Sequence, residues 1–425
     1  MERSIQRVLV ACRGESGAAV GRRVESADLE AVALYADVDA LDTWLDEVAY
    51  ATRIATDDGD PYFDGLKIVS AALDSGCDAV HPGSSRVARS AEHAHMVMNV
   101  GLAWIGSPPA ALQACADRLG VRRVAHNLGL PVLGSSPPVD RSDIPTAIAR
   151  FGGGVRVAST VRGRPAWRSD GTEPLDAALE RLGPGPFVVE RLLPHARHLV
   201  VGVLGDSGGH VLLLGDHERS IARDGRVRVR ESPAPGLDDA TRARLAEALP
   251  KLVAALGVVG IGAVEILTGA DGRWWVHDVI PALFDGFPLH EEIYGLDIVQ
   301  AQTRLASGET LGWEQSEIRA AGCGVELTVC ATGPGELDGL TLPEGASTVR
   351  AEGVAVDPAH DPVLARLVVS GPMRHALLVR ARAELARIVV SGVSHDTADL
   401  AELLADPRVW EGRVETGMFD ERPVS

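Results

Sequence analysis

Lysine is nearly missing from this sequence. Of its 425 residues 41 are basic, yet only Lys67 and Lys251 are lysines and the other 39 are arginines. Any chemistry that needs a lysine amine therefore has two candidates. Cysteine is sparse as well. Cys12, Cys77, Cys115, Cys323 and Cys330 are odd in number, widely spaced, and form no C-x-x-C pair. That argues against a disulfide framework and a zinc site, and suits a reducing, cytoplasmic setting. Long apolar runs are absent, and the one in MERSIQRVLVACRGE is too short for a secretion signal or a membrane span.

An excess of positive charge is also lacking. The 59 acidic residues give a net charge of −18, which argues against a nucleic acid or an anionic membrane as partner. What remains is ordinary globular material. With 46% hydrophobic and 24% charged residues the chain can bury a sizeable core, so disordered and fibrous classes are excluded. The length suggests about three domains.

Strand and helix patterns alternate at first. Apolar runs at Arg7 to Cys12, Leu29 to Tyr35, Asp78 to His81 and Leu102 to Ile105 read as strands. Between them, Tyr62 to Asp74 reads as a helix burying Tyr62, Leu66, Val69 and Leu73. That order predicts a parallel sheet with ligands at the strands' carboxyl ends, where Arg13–Glu15 and His81–Gly83 fall. A helix over Ala110 to Leu128 ends at Gly129-Leu130-Pro131. A small α+β unit follows, with helices near Ile144 to Phe151 and Leu175 to Leu182 and strands at Val155 to Ser159 and Phe187 to Glu190. From Leu199 the pattern becomes a meander with a helix at Ala240 to Ala255 and a hairpin around Ala270-Asp271-Gly272. Strands and a helix at His375 to Ala386 close it.

Several short motifs invite chemistry. Gly205-Asp206-Ser207-Gly208-Gly209 spells a serine-protease signature, but it joins two strands and reads as a turn. Gly152-Gly153-Gly154 lacks the Lys-Ser/Thr of a phosphate loop and leads into a strand. His93 and His95, at i, i+2 on a helix, point to different faces. Glu265 and Asp278 are stronger. They lie on the two arms of the Ala270 hairpin, where they can face each other and offer oxygen ligands to Mg²⁺; solvent-facing carboxylates are the equal alternative.

In order and spacing these segments resemble biotin carboxylase, the ATP-grasp component of acyl-CoA carboxylases. The resemblance rests on RVLVACRGESG, DAVHPGSSRVARSAE, LAWIGSPPAAL, ACADRLGVRRVAHNLGLPVLGSS, VVERLLPHARHL, ESPAPGL, GAVEIL, WVHDV and HEEIYGLDIVQAQTRLASGETL. It implies a combined α/β and α+β architecture: an N-terminal parallel α/β domain (1–112), a helical linker (113–135), a shortened lid (136–198), and a C-terminal ATP-grasp and antiparallel-sheet domain (199–425). It implies Mg-ATP, with Glu265 and Asp278 on the metal and Arg118, Glu190 and His198 on the nucleotide. Biotin is not expected to be covalently attached, and a homodimer is expected.

Key family side chains are replaced under the same alignment. Val157 stands at the phosphate lysine, and Thr160 to Ala166 replaces the polyglycine loop. The bicarbonate and biotin segment reads Ile280, Ala282, Phe284, Asp285 and Gly286, so the family's base position is a glycine. Ala222, Gly225 and Val227 stand at the upstream Gln, His and Lys. Arg350 matches the arginine that stabilises the biotin enolate, and His277, Asp278, Asp285, His198 and Glu265 are the acid–base candidates. Three readings follow. The former ATP/biotin cleft serves another, more apolar small molecule; or the chain is a working biotin carboxylase subunit; or it is a non-catalytic partner of one.

Overall fold

The computed structural model describes residues 4–419 apart from 57–59, 84–85, 161–165, 170, 172, 184, 224 and 360. Its first unit is a five-stranded parallel sheet. The strand order is Tyr50–Arg53, Glu30–Tyr35, Arg7–Val10, Ala79–His81, Ala103–Trp104. Side chains of Arg7–Val10 alternate between two cores: Val8 and Val10 pack on the side of helix Gly14–Ser26, Leu9 on the side of helix Gly65–Asp74. Burial on both faces is why these strands read as continuous apolar runs. Tyr50–Arg53 was not expected, because its exposed, polar edge carries no such pattern.

Two helix expectations need correction. The second helix starts at Gly65, because the Asp64 carboxylate accepts from the amides of Leu66 and Lys67. Tyr62 lies before it in a separate turn, and the buried face is Ile68, Val69, Ala71 and Ala72. Leu66 is 72% exposed and Leu73 half-exposed. The long helix over Ala110 to Leu128 is two helices, Pro109–Ala116 and Arg118–Asn127. Asp117, extended at φ −106°, breaks it and caps the second by accepting from Leu119 N and Gly120 N. The break puts Arg118 in the first turn of a new helix.

The small unit is a three-stranded antiparallel sheet, ordered Ala166–Arg168, Val155–Ser159, Phe187–Arg191. Val155, Val157, Phe187 and Val189 share a core with Ile144 and Leu182 from its helices. Alternation therefore turns Arg156 and Glu190, which are direct cross-strand partners, to the other face.

An antiparallel eight-stranded sheet spans the rest. Its order is Trp274–Ile280, Gly260–Thr268, Arg197–Gly205, Val211–Arg223, Arg226–Ser232, Cys323–Cys330, Val363–Gly371, Ala346–Ser347. Gly205–Gly209 is the turn its setting implied, with Asp206 accepting from the amides of Gly208 and His210. Helices Asp239–Ala255 and Arg374–Leu385 match expectation; Thr397–Leu403 and Pro407–Trp410 were not foreseen. Among the described residues no helix is long and apolar enough to cross a membrane.

Candidate functional site

Glu265 and Asp278 are direct partners across the Gly260–Thr268 and Trp274–Ile280 strands, as the hairpin spacing implied. Both are buried, so they are not solvent-facing strand ends. Immediately beyond them the register slips: Glu265 opposes Asp278 but Ile266 opposes Val276, leaving His277 as an extra residue. Such a bulge re-aims a side chain. The His277 ring meets that of His198 edge-on, with centroids 5.4 Å apart.

Four arginines close on these acids. Arg219 pairs with Glu265, and Arg118 Nε donates to Asp278 Oδ2 at 3.3 Å. Glu190, on the small sheet, takes Arg122 Nη1 and Arg156 Nη1 on its two oxygens, each at 2.6 Å. Arg122 also donates from Nε to the His277 carbonyl at 3.1 Å, and its Nη2 lies 3.0 Å from His277 Nδ1. His198 Nε2 lies 3.6 Å from Glu265 and makes no hydrogen bond. The arrangement is a ladder of acids and guanidiniums running from the small sheet to the hairpin.

Electrostatics follow from that packing. Burial opposes ionisation of Glu265, but Arg219 and then His198 outweigh it and hold the carboxyl well below the usual range. Burial likewise opposes ionisation of Glu190, and Arg122 and Arg156 reverse the sign. His277 is pushed well below the usual histidine range, first by burial and then by Arg118 and Arg122. It is a neutral ring among cations.

Six of the eight expected site residues thus meet here: Arg118, Glu190, His198, Glu265, His277 and Asp278. Two do not join them. Arg350 is tied to its own loop, donating to the carbonyls of Asp361 and Val363 and pairing with the Asp361 carboxylate at 2.7 Å. Asp285 lies on another cavity, 60% exposed, 3.8 Å from Arg230. The charges of Arg230 and Arg366 hold its carboxyl below the usual range.

The expected apolar cleft lining is also corrected. Ile280, Ala282 and Phe284 face the core rather than a cleft. Phe284 stacks on His217, whose Nδ1 lies 2.7 Å from His290 Nε2. Val157 is likewise core, and its neighbour Arg156 is the cation on the ladder side. Of the loop Thr160 to Ala166, residues 161–165 lie outside the described residues. Sequence reading missed Arg122 and Arg219 altogether. Arg122 stands beside Arg123 on a helix and Arg219 in the middle of a strand, and only the fold makes either one a partner of a distant acid.

Family models match along the chain: biotin carboxylase N-terminal domain over residues 4–112, carbamoyl-phosphate synthase L chain ATP-binding domain over 139–314, and biotin carboxylase C-terminal domain over 328–421. The biotin-dependent acyl-coenzyme A carboxylase alpha3 subunit of Mycobacterium leprae is 31% identical over 95% of this chain and 71% of that one. The chain belongs to the biotin carboxylase family. The biotin carboxylase of Halalkalibacterium halodurans is 27% identical over 97% of this chain and 96% of its own length. The dimeric biotin carboxylase domain of Hydrogenobacter thermophilus 2-oxoglutarate carboxylase, solved with MgADP and bicarbonate, superposes with a TM-score of 0.91. It covers 99% of this chain and 98% of its own at 24% identity, a likeness of fold.

A family nucleotide would bring Mg²⁺ to Glu265 and Asp278, and the donor set can be tested for that fit. Mg²⁺ demands oxygen ligands in near-octahedral array. Here each carboxylate already carries a guanidinium. Among the described residues no cluster of three or more metal-binding side chains forms. An incoming ion would have to share or displace these two guanidiniums.

Proposed function

We propose that this family member has given up Mg-ATP-driven biotin carboxylation and that its remodelled interior serves a different small molecule. The observation that carries this reading is the arginine ladder. Arg219 and Arg118 supply, from the chain itself, the positive charge that the metal would bring to Glu265 and Asp278. Moving Arg219 or Arg118 aside for a metal would cost an ion pair to a buried carboxylate. The alteration extends to the reaction segment. Gly286 stands at the family's base position with φ +89°, and a Cβ there would lie 2.7 Å from Arg230 Cδ. Arg230 crosses that space to pair with Glu326. A lost general base alone removes about 10²–10⁴ in rate.

Isothermal titration with Mg-ATP tests the reading directly, with phosphate release measured in the presence of bicarbonate and biotin. The expected result is neither micromolar binding nor biotin-stimulated release. Either one overturns the proposal.

A working carboxylase subunit is the second reading, favoured by 31% identity to an acyl-CoA carboxylase subunit over nearly the whole chain. Under it, Arg118 and Arg156, each about a quarter exposed, would take the place of phosphate lysines. We further infer a homodimer, as in the Hydrogenobacter relative, and a cytoplasmic setting in keeping with five cysteines outside any disulfide, four of them buried. Light scattering on the purified chain reads the first.

A further inference from the structure

The large sheet has a second face, turned away from the arginine ladder. Val200 lies opposite Glu265 and shares its face, so Val201 points the other way, as Leu213 does, toward helix Asp239–Ala255. A cavity of about 340 Å³ opens on that side. Small-molecule sites run to ~300–1,000 Å³.

The sheet is shaped around this space. Strand Val211–Arg223 slips register against Arg197–Gly205 between Leu213 and Asp216, a bulge that bends it locally. Gly215 lies in the bulge at φ +94°, and a Cβ on it would sit 2.0 Å from Tyr294 Cζ, so glycine is what lets the Tyr294 ring lie against the strand and line the cavity. Residues 315–320 form another part of the wall. The Gln315 amide latches them to the strand: Leu213 N donates to Gln315 Oε1 at 2.8 Å, and Gln315 Nε2 donates to the Leu213 carbonyl at 3.0 Å. Ala321 N, just beyond, donates to the Ile293 carbonyl at 2.8 Å.

The chemistry of the ligand follows from what this wall has left to offer. Val201, Leu245 and Ile318 are its buried apolar residues, and Ala246 and Ala320 are exposed at its rim. Its polar side chains are already engaged. Asp216 accepts from Arg242 Nε at 2.9 Å and from Ala234 N at 2.7 Å, and Arg242 also donates to the Leu237 and Ala234 carbonyls. Gln315 spends both ends of its amide on Leu213. The Tyr294 hydroxyl is met by Ser232 and the Asp216 backbone. A charged ligand would give up water here and find no partner, whereas an apolar one gains by leaving water. A dry apolar cavity of ~150 Å³ holds benzene, so this one has room for a larger ring system. We propose that the cavity between helix Asp239–Ala255 and residues 315–320 binds an uncharged, compact apolar molecule. This site is separate from the ladder and does not depend on the reading given to it.

N-phenyl-1-naphthylamine, an uncharged dye that brightens on leaving water, is the probe. It is titrated into the full chain by fluorescence beside 8-anilinonaphthalene-1-sulfonate, which carries the same rings and a negative charge. The expected result is saturable binding of the uncharged dye at one site per chain, with the sulfonate weaker by about tenfold or more, the factor corresponding to ~1.4 kcal/mol. Ala246→Phe, which fills the cavity from its rim, should weaken the uncharged dye by at least the same factor. Ala243→Phe, on an exposed position of the same helix outside the cavity, should bind it like the parent. Circular dichroism confirms that both variants fold. Absence of saturable binding, a sulfonate that binds as tightly, or equal affinities in Ala246→Phe and Ala243→Phe each overturns the inference.

Discussion

Glu190→Ala is the sharpest test of the arginine ladder. The carboxylate is 5% exposed and is the acidic partner of Arg122, whose side chain is 4% exposed. Truncation leaves that guanidinium in the interior with, among the described residues, only the His277 carbonyl and ring to meet it. Arg156 is about a quarter exposed and can turn toward water, so its share of the loss is discounted. The dominant penalty is one uncompensated buried cation, about 3–5 kcal/mol. Because Glu190 joins the small sheet to the hairpin, the loss should appear first as opening of that sheet. Hydrogen exchange of segments 155–159 and 187–191 should accelerate by roughly a hundred- to a few thousand-fold, at ~1.4 kcal/mol per factor of ten. Replacing Glu190 and Arg122 together by leucine removes both buried charges and should cost less than either single change. A loss below about 1 kcal/mol in Glu190→Ala, or a double replacement worse than both singles, would refute the reasoning.

Three further outcomes follow from the same packing. His81 and His290 are buried and lowered to about 4, and His217 lies well below the usual range, all chiefly by burial. The native state binds fewer protons there than the unfolded chain, so this stability is present above about pH 6.5 and drains away toward pH 4. Asp42 and Glu291, raised to about 7 by burial, oppose it in the same window; His290→Asn should therefore flatten urea-unfolding stability against pH by about 3 kcal/mol relative to the parent, and an unchanged slope would count against a neutral His290. Gly286→Ala should cost about 2–4 kcal/mol by thermal unfolding, from a left-handed backbone angle and the clash with Arg230; a neutral result would show that the segment relaxes freely. Arg219→Ala should give the hairpin carboxylates a Mn²⁺ affinity, read by titration, that the parent lacks; no gain would mean that Arg219 is not standing in for a cation.

How much of this was legible depended on the range of each signal. The Glu265–Asp278 pair could be counted from a single tight hairpin. The His277 bulge beside it could not, because an inserted residue leaves no mark in an alternating sequence. The parallel sheet was visible where strands are buried on both faces and invisible at its polar edge strand. Leu66 and Leu73 misled because apolar spacing alone sets no origin for a helix, whereas the Asp64 cap does. Ile280, Ala282 and Phe284 read as a changed lining when they are core. An apolar residue that replaces a polar one says only that water is gone, not whether a ligand or another side chain took its place.

The arginines were hardest to read and carry the most weight. A buried ion pair is weak support for stability, since desolvation cancels much of the attraction. Their clustering on Glu190, Glu265 and Asp278 therefore needs another cause. Two carboxylates held opposite each other across strands repel unless a cation lies between them. Under the proposed function, a family member that no longer recruits a metal must either lose those acids or bring its own cations, and this chain does the second. Arginine suits that task better than lysine, because its planar fork can meet two partners at once, as Arg122 meets Glu190 and His277. Gly286 obeys the same logic. With Arg230 running beside it to Glu326, a Cβ at Gly286 would lie 2.7 Å from Arg230 Cδ, so under the proposed function the lost base and the buried arginine are one change rather than two.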